Sequence, residues 1–190
     1  MNYEEWKAKI DEDDTKKPKR YAHFDNRVRF RDVESYVTNP KKVETHIFYP
    51  FIRYEKESIK FDGTQFDRKK PKIRPIAYSS HKDRRIYQYY GYLLNQKYNA
   101  RVKRDDIDHV SIAYRDNSHK CNIDFAYDAI KYIRDLKKCF IMIGDFSDFF
   151  DRLDHEFLKL RICNLLGCGE KLPKDFMLCS RISHNTRTGR

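Results

Sequence analysis

No apolar run in these 190 residues is long enough to span a bilayer, and Met1-Asn2-Tyr3-Glu4-Glu5 offers no hydrophobic leader. The expectation is a cytoplasmic chain with no membrane partner. The five cysteines (Cys121, Cys139, Cys163, Cys168 and Cys179) contain no CxxC pair and no even framework. Cys163 and Cys168 lie five apart with no histidine at finger spacing. These features argue for reduced thiols and against zinc ligation or disulfides. There is no internal repeat and no low-complexity tract. Acid is in short supply: 29 Asp and Glu face 40 Lys and Arg, a net charge of +11. Aromatics make up 15% of the chain, 14 of them Tyr. Cations that neutralise phosphates and rings that stack on bases suit a nucleic-acid partner. A solvated basic surface over a Tyr- and Phe-filled core fits the same composition.

Tyr3, Trp6 and Ile10 make one helical stripe, followed by a basic tail, Lys16-Lys17-Pro18-Lys19-Arg20, read as a solvated linker. Asn39-Pro40 marks a turn and a short helix over 40–45. Residues 53–80 predict a hairpin: one strand over 53–61, a long basic loop through Arg68-Lys69-Lys70, and a second strand from Lys72 to Tyr78. On that second strand Lys72 and Arg74 share a face, placed to grip a polyphosphate or to guard an edge. A helix over 80–99 is the clearest element. Ser80 and Asp83 resemble a capping box, and Arg84 and Arg85 stand in the first turns against the macrodipole, which calls for another partner. Asp105-Asp106 reads as a solvated loop. A further helix covers 125–136, with Phe125, Ala129, Ile133 and Leu136 on one face.

The chain then turns on residues 139–162, CFIMIGDFSDFFDRLDHEFLKLRI. Cys139 to Ile143 predicts a buried strand that delivers Asp145 to its exposed end, where a rigid backbone can present a carboxylate to a divalent metal. From Asp154, a candidate N-cap, a helix carries Leu158, Ile162, Leu165 and Leu166 on one face and ends at Gly167 and Gly169. A last helical stretch covers 173–182. A strand-end carboxylate, an aromatic pair at Phe149 and Phe150, a basic strand and a basic surface together point to nucleotidyl transfer, in which Mg²⁺ ions and cations offset triphosphate charge.

Three blocks resemble the amino-terminal half of a bacterial reverse transcriptase, closest to the defence-associated, abortive-infection group and more distantly to retron and group II intron enzymes. Lys72-Ile73-Arg74-Pro75-Ile76 with Ser79-Ser80-His81-Lys82-Asp83-Arg84 is similar to the fingers strand and helix start. Ser111-Ile112-Ala113-Tyr114-Arg115 with Ser118 is similar to the segment before the palm. Phe140 to His155, centred on Asp145-Phe146-Ser147-Asp148-Phe149-Phe150-Asp151, is similar to the first palm motif. The resemblance implies an α+β fold, helix-rich, with a fingers hairpin and a palm strand. Residues 1–45 would be a helical and basic extension, 46–136 the fingers-like region and 137–190 a partial palm. It implies that Asp145 is catalytic and a ligand of Mg²⁺, with the Phe146 carbonyl helping to hold one ion. Phe150 would pack under the incoming sugar, and Lys72 and Arg74 would contact the triphosphate. Asp148 would supply backbone contacts only, and Asp151 and His155 would be structural. Partners would be an RNA or DNA primer–template and dNTPs, and a role in antiviral defence follows from the group. The Tyr-x-Asp-Asp-like hairpin, the Pro-Gln-Gly-like turn and the thumb of such enzymes have no counterpart here. The sequence is therefore expected to be the amino-terminal part of such a polymerase, inactive by itself. A non-catalytic nucleic-acid-binding module and a non-functional gene remnant are the alternatives.

Overall fold

The computed structural model describes residues 1–61, 66–115, 120–136, 138–147, 149 and 152–177, with the side chains of 60, 61, 66–70 and 72 left aside. Among the described residues six helices and one hairpin make an α+β arrangement: α1 (Tyr3–Lys16), α2 (Phe30–Val37), α3 (Pro40–Glu44), β1 (Ile52–Phe61), β2 (Phe66–Tyr78), α4 (His81–Arg104), α5 (Asn122–Asp135) and α6 (His155–Leu166). The chain divides into two compact units, Asn2–Leu93 with the residues from Pro173, and Leu94–Leu172, the division falling within α4.

In the first unit, the expected stripe of α1 is the buried one. Asn2 and Glu5 form a reciprocal capping box, and Trp6 and Ile10 are buried. Trp6 meets the fully buried Phe30 of α2 edge-on at 5.0 Å and lies 4.7 Å from the Tyr92 ring of α4. The Tyr3 hydroxyl donates to Glu34 Oε1 at 2.8 Å, and Lys7 pairs with the same carboxylate at 2.6 Å, so α1 and α2 are pinned by charge outside the rings. Helix α2 lacks an obvious sequence start, since Arg29 gives no side-chain cap hydrogen bond. Helix α3 starts as the sequence predicts: Asn39 accepts from the backbone N–H of Lys41 and Lys42, and Pro40 sits in the first turn.

The hairpin differs from expectation in its turn. Strand β2 begins at Phe66, so residues 66–70 extend the ladder where a long basic loop was predicted. Pairing carries through Lys60↔Asp67 to Phe61↔Phe66, after a shift between Ser58 and Lys60. Pro75 is tolerated because a two-stranded hairpin leaves each strand an open edge.

The start of α4 is the most heavily bonded corner. Ser80 Oγ accepts from Asp83 N–H at 3.1 Å, as the capping pattern predicts. The Asp83 carboxylate, fully buried, turns away from the cap. It accepts from Tyr49 N–H at 2.9 Å and from His46 Nε2 at 2.7 Å, while His46 Nδ1 takes the Tyr36 hydroxyl at 2.9 Å. The chain supplies a second cap from afar: Asp25 accepts from the N–H groups of His81 and Lys82, both at 3.0 Å. Arg85 finds the partner its position demanded. It is buried, donates to Asp14 Oδ1 at 2.6 Å and to the Val28 carbonyl at 2.9 and 3.1 Å. Helix α4 also runs five residues beyond the predicted end, to Arg104. Arg101, Lys103 and Arg104 suit a helix C-terminus, and Arg101 and Arg104 both pair with Asp105. Asp105 and Asp106 then leave the helix as the solvated turn expected of them, Asp106 at φ 53°.

In the second unit, the segment after α4 is tied down by one side chain. Arg115, almost wholly buried, donates to the carbonyls of Asp108 and Ser111, both at 2.9 Å, and to Asn99 Oδ1 at 3.0 Å, and pairs with Asp108. Helix α5 starts three residues earlier than predicted and buries none of its residues. Helix α6 matches expectation: Asp154 accepts from Phe157 N–H at 3.0 Å, and Gly167 closes the helix at φ 70°. Between them, Cys139 to Ile143 form no strand. Phe140 and Ile143 are 91% and 92% exposed. A buried strand requires neighbours to take its hydrogen bonds, and among the described residues the only sheet is β1–β2. The helix predicted over 173–182 belongs to the first unit and is helical at 174–177, where Tyr90 donates to the buried Asp175 at 2.7 Å; residues 178–182 lie outside the described residues.

Candidate functional site

Asp145 and Phe146 line one cavity of about 610 Å³ in the second unit, formed by the loop before α6 and the first turns of that helix. Asp145 is exposed, so its carboxylate sits in water without a burial penalty. Phe146 and Phe149 face each other across 6.0 Å, and Arg161 lies 4.6 Å above the Phe157 ring. The cavity is thus apolar in its walls, with two guanidinium groups, Arg152 and Arg161, and two carboxylates, Asp145 and Asp154, at its surface. The short sequence distance from Asp145 to α6 explains the grouping. The Asp154 cap fixes where the helix starts, and Phe157, Leu158 and Arg161 then follow on one side, at helical spacing. Arg152 and Arg161 did not stand out in the sequence; the i,i+4 relation between Phe157 and Arg161 was the only signal for the latter.

The other expected residues are placed as follows. Arg74 is exposed on β2, in register with Lys56. Lys72 pairs with Ser58 on the same strand, and its side chain lies outside the described residues. Both belong to the first unit, whereas Asp145 belongs to the second. Phe150, Asp148 and Asp151 lie outside the described residues. His155 is the first residue of α6.

A Mg²⁺ ion takes six oxygens, commonly one or two carboxylates with water and phosphate. Among the described residues no three His, Cys, Asp or Glu side chains come together. Asp154 is engaged as a helix cap, which leaves, among the described residues of this loop, Asp145 with the neighbouring Phe146 carbonyl. That donor set does not fit a two-metal site by itself. Cys121, Cys139, Cys163 and Cys168 are free thiols, and Cys179 lies outside the described residues. Among the described residues no helix is long and apolar enough to cross a membrane. No protein-family model matches the chain, and no curated protein matches it.

Proposed function

We propose that this chain provides the fingers and the first palm motif of a reverse-transcriptase-like polymerase, an RNA-directed DNA polymerase whose complete form uses Mg²⁺, a primer–template and dNTPs. The observation that carries the reading is Asp145, exposed at a cavity beside Phe146, inside a sequence block similar to the first palm motif. A capped helix directly after that block supports it, because the Asp154 cap fixes where α6 begins beside the cavity that Asp145 lines. The hairpin leading into α4 suits a fingers role, with Arg74 solvent-exposed and free of burial cost. Lys72, Arg74 and Phe150 keep their proposed triphosphate and sugar contacts, and Asp145 its place as a metal ligand, as parts of this proposal. A role in antiviral defence is proposed on the family resemblance alone.

The donor shortfall among the described residues favours a second reading, in which the chain binds nucleic acid without chemistry. The two are separated by primer extension. The first reading expects no dNTP incorporation by these 190 residues alone, and Mg²⁺-dependent incorporation once an aspartate-pair hairpin and thumb are supplied. Binding of a primer–template, weakened by Arg74→Gln and by salt, with no incorporation under either condition, favours the second.

A further inference from the structure

A second cavity, of about 800 Å³, lies in the first unit among the basic linker, the base of the hairpin and the start of α4. Three cations line it: Lys19 and Arg20 from the linker, and Arg84 from the first turns of α4. No carboxylate lines it. Lys19 and Arg20 are exposed, as expected of a solvated linker, and they also line the mouth of this cavity beside a row of rings. Tyr21 stacks on Tyr78 at 4.5 Å and 9°, and on His81 at 4.5 Å and 14°. Tyr54 continues the row 5.3 Å from Tyr78 and shares a 2.8 Å hydroxyl contact with it. Tyr21 is covered on both faces, whereas Tyr54, at the end of the row, keeps 41% of its surface exposed.

Arg84 is the odd member of its pair. Arg85, next to it, is neutralised by Asp14. Arg84 has no ion pair among the described residues, although it is half-buried. Burial and, after it, the neighbouring Arg85 charge push its guanidinium below the usual arginine range. A smaller cavity of about 280 Å³ shares Lys19 and Arg84 and adds Arg27 and Arg29, with Asp14 as its one acid. That acid is already spent on Arg85 and on the Phe30 N–H at 3.1 Å. Asp14 and the Tyr21 hydroxyl offset the Arg84 charge only in part. The surplus of cations around the two cavities is stabilised by an anion from solution. Guanidinium groups bind phosphate oxygens in a fork, and an exposed ring end accepts a stacked base.

We propose that this cavity is a binding site for a phosphate ester that carries a planar ring, its phosphate held by Arg84, Lys19 and Arg20 and its ring laid against Tyr54. A free nucleotide and a nucleotide unit of a single strand share that chemistry. Arg84 lies in the block similar to the fingers helix start, but the polymerase reading gives Arg84, Lys19, Arg20 and Tyr54 no contact, and the site stands whether or not that reading holds.

Fluorescence and calorimetric titrations of the full chain test it with four probes: a purine mononucleotide, a nucleoside triphosphate, a labelled 12-residue single-stranded oligonucleotide and inorganic pyrophosphate. The variants are Lys19→Gln with Arg20→Gln, in an exposed linker, and Tyr54→Ala. A control double variant, Lys131→Gln with Arg134→Gln on exposed positions of α5, makes the same charge change elsewhere. The expected result is binding of at least one ring-bearing probe, weakened about tenfold by each site variant and unchanged in the control. The salt slope should also be shallower in the linker variant. Binding of the mononucleotide identifies a free nucleotide as the source; binding of the oligonucleotide alone identifies a strand. Equal losses in the control and linker variants, pyrophosphate binding as tightly as the ring-bearing probes, or no binding of any probe would each overturn the proposal. Melting curves of all variants exclude unfolding as the cause of a loss.

Discussion

Asp25 and His81 make the start of α4 sensitive to acid. Burial opposes the Asp25 charge, but the N–H groups of His81 and Lys82 outweigh it and hold the carboxyl below its usual range. His81 is shifted downward as well, by burial first and by the nearby Arg84 and His23 in part, with Asp25 opposing. Both folded-state values lie below the unfolded ones, so both contributions are complete at neutral pH and are lost on the acid side. His81 begins to cost stability as pH falls below about 6.5, and Asp25 as it falls below about 3.9. Urea titrations across pH should therefore show Asp25→Asn less stable than the parent at pH 7, with the gap narrowing as pH falls below about 3.9. A constant gap would contradict this account of the cap. The buried arginines have a larger predicted effect. Arg85→Met leaves Asp14 and the Val28 carbonyl without their donor. Removing one partner of a buried pair costs about 3–5 kcal/mol, and chemical denaturation measures it. Arg115→Ala removes the donor of four hydrogen bonds from the segment after α4; the expected loss is about 2–3 kcal/mol.

At the scale of elements, capping and turn chemistry were the most legible part of the sequence. Ser80, Asn39, Asp154 and Gly167 act locally, through hydrogen bonds to residues two to four positions away, so their spacing carried enough information. Asp25 was not legible as a cap because its targets lie 56 and 57 residues away. Strand 139–143 failed for a related reason: its hydrophobicity is real, but a strand exists only through its neighbours, and a local pattern cannot supply them. The end of α4 was cut short because its Arg and Lys content read as a connection, although it favours a helix C-terminus. For the candidate site, Asp145 and Phe146 were legible from motif order, whereas the linker cations and Tyr21 gained meaning only when the chain folded back on the hairpin. The terminator of α6 offers a clean check. A Cβ at Gly167 meets nothing within 4 Å, so Gly167→Ala should cost only the left-handed backbone term, about 1 kcal/mol by thermal melting. Asp154→Ala should cost a similar amount through the lost cap.

Across the whole molecule, apolar surface is unevenly distributed. The first unit packs Trp6, Phe30, Val37, Val43 and Ile86 inside. The second exposes Ile123, Tyr127 and Ile130 on α5 together with Phe140 to Ile143. So many exposed large apolar side chains are uncommon on a monomer surface, and the chain should bind a hydrophobic dye such as ANS in its folded state, with binding reduced by Ile130→Lys. The net charge of +11 opposes self-association and favours a polyanionic partner. In the polymerase reading, the exposed stretch from Phe140 to Ile143 and the sparse donor set among the described residues would be completed together by an aspartate-pair hairpin and its neighbouring strands. The most direct measurement is templated, Mg²⁺-dependent dNTP incorporation by the chain supplied with an aspartate-pair hairpin and thumb, comparing Asp145 with Asp145→Ala. The account predicts incorporation with Asp145 and a loss of at least about a thousandfold with alanine, as expected when a metal ligand is removed from the reacting centre. Undiminished incorporation by Asp145→Ala would contradict it.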